Sequence, residues 1–317
     1  MSTQKLKEII NKVLPDVETV ICWQEGFDKL NVTPIFITSP EQVDKVVWNA
    51  ACAQNLASYL PSQKKKVAVV VKGCDSRTIV QYMQEGLIDR NNVVIIGMPC
   101  KGIISKKKVQ KAINNEPVEE ITYTDDSIKV KTPSGEKTIA IKDVCPSKCT
   151  SCQYPTPVIS DQLAADAIQS DKPADSVYAD VAELEGKTLE ERWAYFAKEF
   201  DKCIRCYACR NACPMCVCQD SCIAETRDPH WITQKLNFDE KLMFHMIHAL
   251  HLAGRCTECG ECERACPMDI PLGKLKKKIN MDMKELFGYE PGTRPDDSPP
   301  LYTFKVDEEK IEEHKLP

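Results

Sequence analysis

The cysteines of this chain are spaced as they are in metal-cluster loops. Cys203, Cys206, Cys209 and Cys213 are separated by two, two and three residues, with Pro214 following, and Cys256, Cys259, Cys262 and Cys266 repeat the pattern with Pro267. Three thiolates so spaced let a short loop close round a 4Fe-4S cubane, while the Cys-Pro member points away and ligates the neighbouring cluster. One cluster is therefore expected on Cys203, Cys206, Cys209 and Cys266, and the other on Cys256, Cys259, Cys262 and Cys213. Structural zinc is the alternative, because paired Cys-x2-Cys also makes tetrahedral sites. Zinc takes four ligands from two pairs, whereas each run here adds a third evenly spaced Cys and then Cys-Pro, which favours iron and sulfide.

A third group, Cys145-x3-Cys149-x2-Cys152, has the spacing of radical-SAM enzymes. That chemistry needs a following partial barrel, whereas a proline-bearing segment follows here and Ser151 stands where an aromatic residue is usual. A third 4Fe-4S cluster is the better expectation, with its fourth ligand brought from elsewhere. Cys74 and Cys100 are the candidates, since each follows an apolar β-branched run, Val67–Val71 and Val93–Ile96. In a parallel sheet both would lie at the carboxyl edge, where α/β folds bind ligands; a buried structural thiol is the plainer alternative for each. Cys216, Cys218 and Cys222 match no standard loop, but three more thiols directly after a ligating Cys-Pro suggest a fourth cluster. Cys22 and Cys52 are expected to be structural.

The elements that must position these groups can be read in outline. The runs 67–71 and 93–96 have the pattern of strands buried on both faces of a parallel sheet. Between them, Asp75-Ser76 supplies a helix N-cap, and Ile79, Val80, Met83 and Leu87 recur at helical spacing towards Gly86. Residues 34–37 suggest a further strand, Glu41 to Leu60 an amphipathic helix, and 117–142 a hairpin about Pro133-Ser134-Gly135. The expected organisation is α+β and multi-domain: an α/β domain with a parallel-containing sheet over 1–154, a linker over 155–195, a largely helical dicluster domain over 196–283 and an extended tail over 284–317. Between Cys213 and Cys256 lie 42 residues, including a helix from Leu242 to Ala253 closed by Gly254. His245, His248 and His251 step along it; without a Cys-x2-Cys-His attachment motif, packing is expected rather than haem ligation.

With 317 residues, 43% of them hydrophobic, the chain can build one large or two ordinary cores. A net charge of -5 gives no reason to expect nucleic acid, and Lys64–Lys66 and Lys106–Lys108 read as solvated edges. No apolar run reaches the roughly 18 residues of a membrane span. The amino terminus reads as a charged amphipathic helix, not a secretory signal. Eighteen cysteines without such a signal point to a reducing cytoplasm, in which thiols bind metal rather than pair, and by association to an anaerobe.

Three segments carry a family resemblance: Lys72-Gly73-Cys74-Asp75-Ser76, the stretch from Val93 to Gly97-Met98-Pro99-Cys100, and Cys149-x2-Cys152-Gln153-Tyr154-Pro155. They resemble the beta subunits of deazaflavin-reducing hydrogenases and related formate dehydrogenases. The carboxy-terminal half is similar to the dicluster iron-sulfur subunits of formate dehydrogenase, hydrogenase and heterodisulfide reductase systems. The resemblance implies an electron-transfer subunit whose catalytic dehydrogenase, hydrogenase or flavoprotein partner is another chain. It also implies FAD, although no Gly-x-Gly-x-x-Gly fingerprint is present. Cys74 and Cys100 would then edge a cofactor site, and a flavin reductase in its own right is the rival reading.

Overall fold

The computed structural model describes residues 2–218, 222–224, 232–304 and 306. Its main sheet has strands β1 (Thr19–Glu25), β2 (Val32–Ile37), β3 (Val67–Val71) and β4 (Val93–Gly97). A meander of β5 (Glu120–Tyr123), β6 (Ser127–Thr132) and β7 (Gly135–Ala140) follows, and β8 (Gln162–Leu163) returns to the main sheet, whose order is β2-β1-β3-β4-β8. β1 and β2 are antiparallel; β1, β3, β4 and β8 run parallel, with Val67 opposite Val93. Every residue of β3 is buried, as expected of a strand covered on both faces.

Helices α1 (Ser2–Val13) and α2 (Gly73–Gln84) flank this sheet; α1 buries Leu6, Ile9, Ile10 and Val13 at helical spacing. Next come α3 (Lys106–Ala112) and the single turns α4 (Ile141–Val144) and α5 (Ser147–Thr150), the second of which carries Cys149. The carboxy-terminal part consists of α6 (Ala179–Glu185), α7 (Leu189–Asp201), α8 (Ala208–Asn211), α9 (Phe238–Leu250), α10 (Glu261–Ala265) and α11 (Leu272–Phe287). The fold is thus α+β, with a helical cysteine-rich part on a mixed sheet. Among the described residues no helix is long and apolar enough to cross a membrane.

The helix expected from Glu41 to Leu60 is instead two 3-10 segments, Pro40–Lys45 and Leu56–Ser62. The side chains of Asn49 and Asn55 accept from the backbone N–H of Ala51 and Ala57 at 2.8 and 3.1 Å, a local competition that interrupts helix. The cap after β3 also differs. Helix α2 starts at Gly73, and Asp75 Oδ2 accepts from the Lys72 backbone N–H at 3.1 Å while pairing with Lys72 Nζ at 2.8 Å. Within 155–195, read as linker, β8 extends the main sheet and α6 and α7 are formed.

Helix α2 joins the two halves. Tyr82 donates its hydroxyl to Pro214 O at 2.7 Å, Thr78 and Thr257 hydroxyls lie 3.0 Å apart, and Arg255 pairs with Glu85 at 2.6 Å. The tail crosses the same helix. Arg77 donates to Pro291 O at 2.8 Å, and Gly292, at φ +69°, lies so close that a Cβ would meet Arg77 O at 2.1 Å. Residues 305 and 307–317 of the expected tail, and 219–221 and 225–231 of the segment between the motifs, lie outside the described residues.

Candidate metal centres

The first set of thiols meets as the spacing demands. Cys203, Cys206, Cys209 and Cys266 line one cavity together with Tyr207, Phe244, His245 and Ile270. The cavity therefore draws its fourth cysteine from the other motif, in the crosswise arrangement of paired cubanes. The Arg205 backbone N–H donates to Cys203 Sγ at 3.3 Å, the kind of bond that stabilises a thiolate.

In the second set Cys259 and Cys262 are buried and Cys256 and Cys213 half-buried, and burial pushes the Cys256 thiol up to about 12. Cys213 acts electrostatically on Cys256, Cys259 and Cys262, which sets the Cys-Pro member of the first motif beside the second trio. Uncompensated, such burial keeps thiols protonated; bound iron would hold them as thiolates.

Each loop turns into its short helix through a left-handed residue, Tyr207 at φ +58° before α8 and Gly260 at φ +70° before α10. The inequality has a cause. A Cβ on Gly260 would meet Lys148 Cδ at 2.8 Å, whereas Tyr207 has room to set its ring edge-on to Phe244, 5.2 Å away. Tyr207→Gly is expected to relieve about 1 kcal/mol of backbone strain while admitting water to the first site and shifting that cluster's potential. EPR-monitored potentiometry checks this, and an unchanged potential would refute the shielding role.

The third group of thiols gathers where β3 and β4 end. Cys149 acts electrostatically on Cys74, Cys100 and Cys152, and Cys145 acts in turn on Cys149. All five line one cavity, so both strand-end cysteines arrive where a fourth ligand is needed. Gly73 permits the approach: a Cβ there would meet Tyr154 O at 1.7 Å, so only glycine lets the Cys152 loop lie on the start of α2. Burial raises the Cys74 thiol to about 12, against the opposing charge of Lys148, whose Nζ lies 3.9 Å from Cys74 Sγ. The same Nζ also donates to Cys259 O, tying the third site to the second motif.

This cavity holds about 1390 Å³ and is lined by more lysines than carboxylates. Lys107 and Lys108 are exposed, as expected of a solvated edge, and with Lys106 they also line this cavity: Lys108 donates to Cys145 O at 2.7 Å, Lys107 to Cys266 O at 2.5 Å, and Lys106 pairs with Asp28 at 2.6 Å. Lys65 is likewise at the surface, with Glu18.

Sequence reasoning missed two ammonium groups, Lys148 and Lys276. Lys276 is 4% exposed, and its Nζ meets no acceptor of ordinary hydrogen-bond geometry. Burial disfavours its charge, but the thiols of Cys262, Cys213, Cys256 and Cys209 outweigh that and raise its pKa. Leu272, Lys276 and Asn280 form an i, i+4, i+8 row, all buried, so the covered face of α11 carries a charge and an amide beside its leucine. On α9, His245 stacks on Phe200 at 4.5 Å, in keeping with packing, while His251 is exposed. Cys22 and Cys52 are fully buried, as structural thiols should be, and Cys218 is exposed.

A family model described as a 4Fe-4S dicluster domain matches residues 202–270. A second, described as the carboxy terminus of the coenzyme F420 hydrogenase/dehydrogenase beta subunit, matches 64–185. The F420-dependent formate dehydrogenase subunit beta of Methanocaldococcus jannaschii is 26% identical, the alignment covering 96% of this chain and 94% of that protein. The F420-dependent formate dehydrogenase 1 subunit beta of Methanococcus maripaludis is also 26% identical, covering 94% and 91%. A chain of the F420-reducing [NiFe] hydrogenase complex from Methanosarcina barkeri aligns with a TM-score of 0.37 and 18% identity, over 49% of this chain and 59% of that one. The chain is an iron-sulfur protein that resembles, over nearly its whole length, the beta subunits of F420-dependent formate dehydrogenases.

Proposed function

We propose that the chain is an electron-transfer subunit of a cytoplasmic oxidoreductase complex of the formate dehydrogenase or hydrogenase type, in an anaerobe, relaying electrons through three 4Fe-4S clusters. The continuity of the cysteine groups carries this reading. Lys148 touches both Cys74 and the Cys259 carbonyl, and Lys276 lies among thiols of both dicluster motifs. Cys203, Cys206, Cys209 and Cys266 would hold one cluster, and Cys256, Cys259, Cys262 and Cys213 the next. Cys149 and Cys152 would hold the third, joined by Cys145 and one of the strand-end thiols Cys74 and Cys100, or by both strand-end thiols. Bound clusters supply one-electron transfer; the chain supplies thiolates, dry walls and two ammonium groups, buried Lys276 and half-buried Lys148, that offset cluster charge. Cys206 and Ile204 are exposed at the first site, which leaves an edge for a catalytic dehydrogenase, hydrogenase or flavoprotein partner. A fourth cluster on Cys216, Cys218 and Cys222 has less support, because Cys216 is hydrogen-bonded with Cys213 and Cys218 faces solvent.

The large basic cavity favours a second reading, in which FAD sits beside Cys74 and Cys100 with its phosphates against lysines. Anaerobic purification of the isolated chain separates the two. The relay reading expects about twelve irons, reversible reduction by dithionite in the visible and EPR spectra, and no reductase activity. Stoichiometric flavin with reductase activity in the absence of partners would sink the relay-only reading in favour of the second.

A further inference from the structure

Helix α9 passes the Cys-Pro corner of the first motif, and two histidines on it carry buried ring nitrogens without hydrogen bonds: His245, stacked on Phe200, and His248. His248 is 3% exposed, yet its Nε2 makes no hydrogen bond. A buried polar atom left unpaired is destabilising. The same ring belongs to a compact donor group: the ligand atoms of Cys213, Cys216 and His248 all lie within 4.8 Å of one another. Among the described residues, no other three His, Cys, Asp or Glu side chains gather their ligand atoms so tightly.

That spacing suits a single ion. With Zn–S bonds of about 2.3 Å, tetrahedral geometry puts neighbouring donors about 3.8 Å apart. Two thiolates and an imidazole are the donor set of zinc and similar borderline-soft divalent cations, not of calcium or magnesium. We propose that Cys213, Cys216 and His248 bind one such cation, zinc by donor chemistry, against the flank of the second cluster site. Cys213 is then the shared ligand, because a thiolate sulfur keeps a free lone pair after binding one iron. Cys222, whose charge acts on Cys216, is the donor available for the fourth position. The ion satisfies His248 Nε2 and ties α9 to the Cys-Pro corner across the long insertion between the motifs.

The test uses the full chain, reconstituted anaerobically with iron and sulfide and then given Zn2+, with metals counted by mass spectrometry. Wild-type protein is expected to retain about one zinc ion per chain, while His248→Gln and Cys216→Ser lose it and keep their iron and their cubane EPR signals. The exposed neighbour variant His251→Gln should keep the ion. Co2+ in place of zinc should show thiolate-to-metal charge-transfer absorption that His248→Gln abolishes. Equal zinc content in wild type and both variants would overturn the site. Loss of about four irons from Cys216→Ser would overturn it differently, by making Cys216 a cubane ligand.

Discussion

Replacing Cys149 by Ala is expected to remove about four irons from the chain while leaving the dicluster EPR signals in place. Cys149 belongs to both ligand sets proposed for the third site, and it acts electrostatically on Cys74, Cys100 and Cys152 while itself feeling Cys145. The two dicluster sets take none of these five thiols, so the loss should be confined. The stability effect should be large. Metal binding at thiolate sites is folding free energy, about 10–16 kcal/mol for structural zinc in small domains, and the third site ties the ends of β3 and β4 to α5 and the Cys152 loop. The melting temperature of the loaded chain should therefore fall, and thiols enclosed in the wild type should become reactive. Iron analysis, EPR and calorimetry check the three parts. An unchanged iron content would show that the third group binds no cluster. The companion Cys145→Ala decides whether Cys145, whose thiol already donates to Lys142 O at 3.3 Å, is a ligand at all.

What could be read in the sequence was what depends on local spacing. The motif intervals grouped Cys203, Cys206, Cys209 and Cys266, which line one cavity here, and β-branched runs named β3 and β4. From parallel pairing alone it followed that Cys74 and Cys100 would share an edge, and the third thiol group arrives at that edge. Properties set by side chains meeting across the fold were not legible. The apolar spacing of 41–60 fits a helix, yet two asparagines capture its backbone. The two-residue strand β8 is too short to announce itself, and it exists because β4 leaves an open edge beside it. Lys108 reads as one charge in a solvated run, and it is exposed, but its bond to the Cys145 carbonyl is set across the fold. His248 and Cys216 are far apart in sequence, and no periodicity links them.

Lys276→Met is expected to lower the reduction potentials of both dicluster centres. The ammonium is buried beside Cys262, Cys213, Cys256 and Cys209, thiols drawn from both proposed ligand sets. An isolated buried ammonium is costly, and it persists where opposite charge compensates it. Four thiolates round a cubane give a net negative centre, and reduction adds one more electron. The lysine therefore stabilises the reduced form more than the oxidised one. Unit charges at 4 Å interact by about 4 kcal/mol at an effective dielectric of 20, so removing this charge should shift potentials by at least tens of millivolts, each tenfold change in equilibrium being about 59 mV for one electron. Methionine matches the length and apolar stem of lysine, so packing changes little. Lys276→Arg keeps the charge and should keep potentials near those of the wild type, which separates electrostatics from shape. EPR-monitored titration at full iron content measures both variants. If Lys276→Met leaves both potentials where they were, the charge plays no part in the relay, and its burial would need another cause.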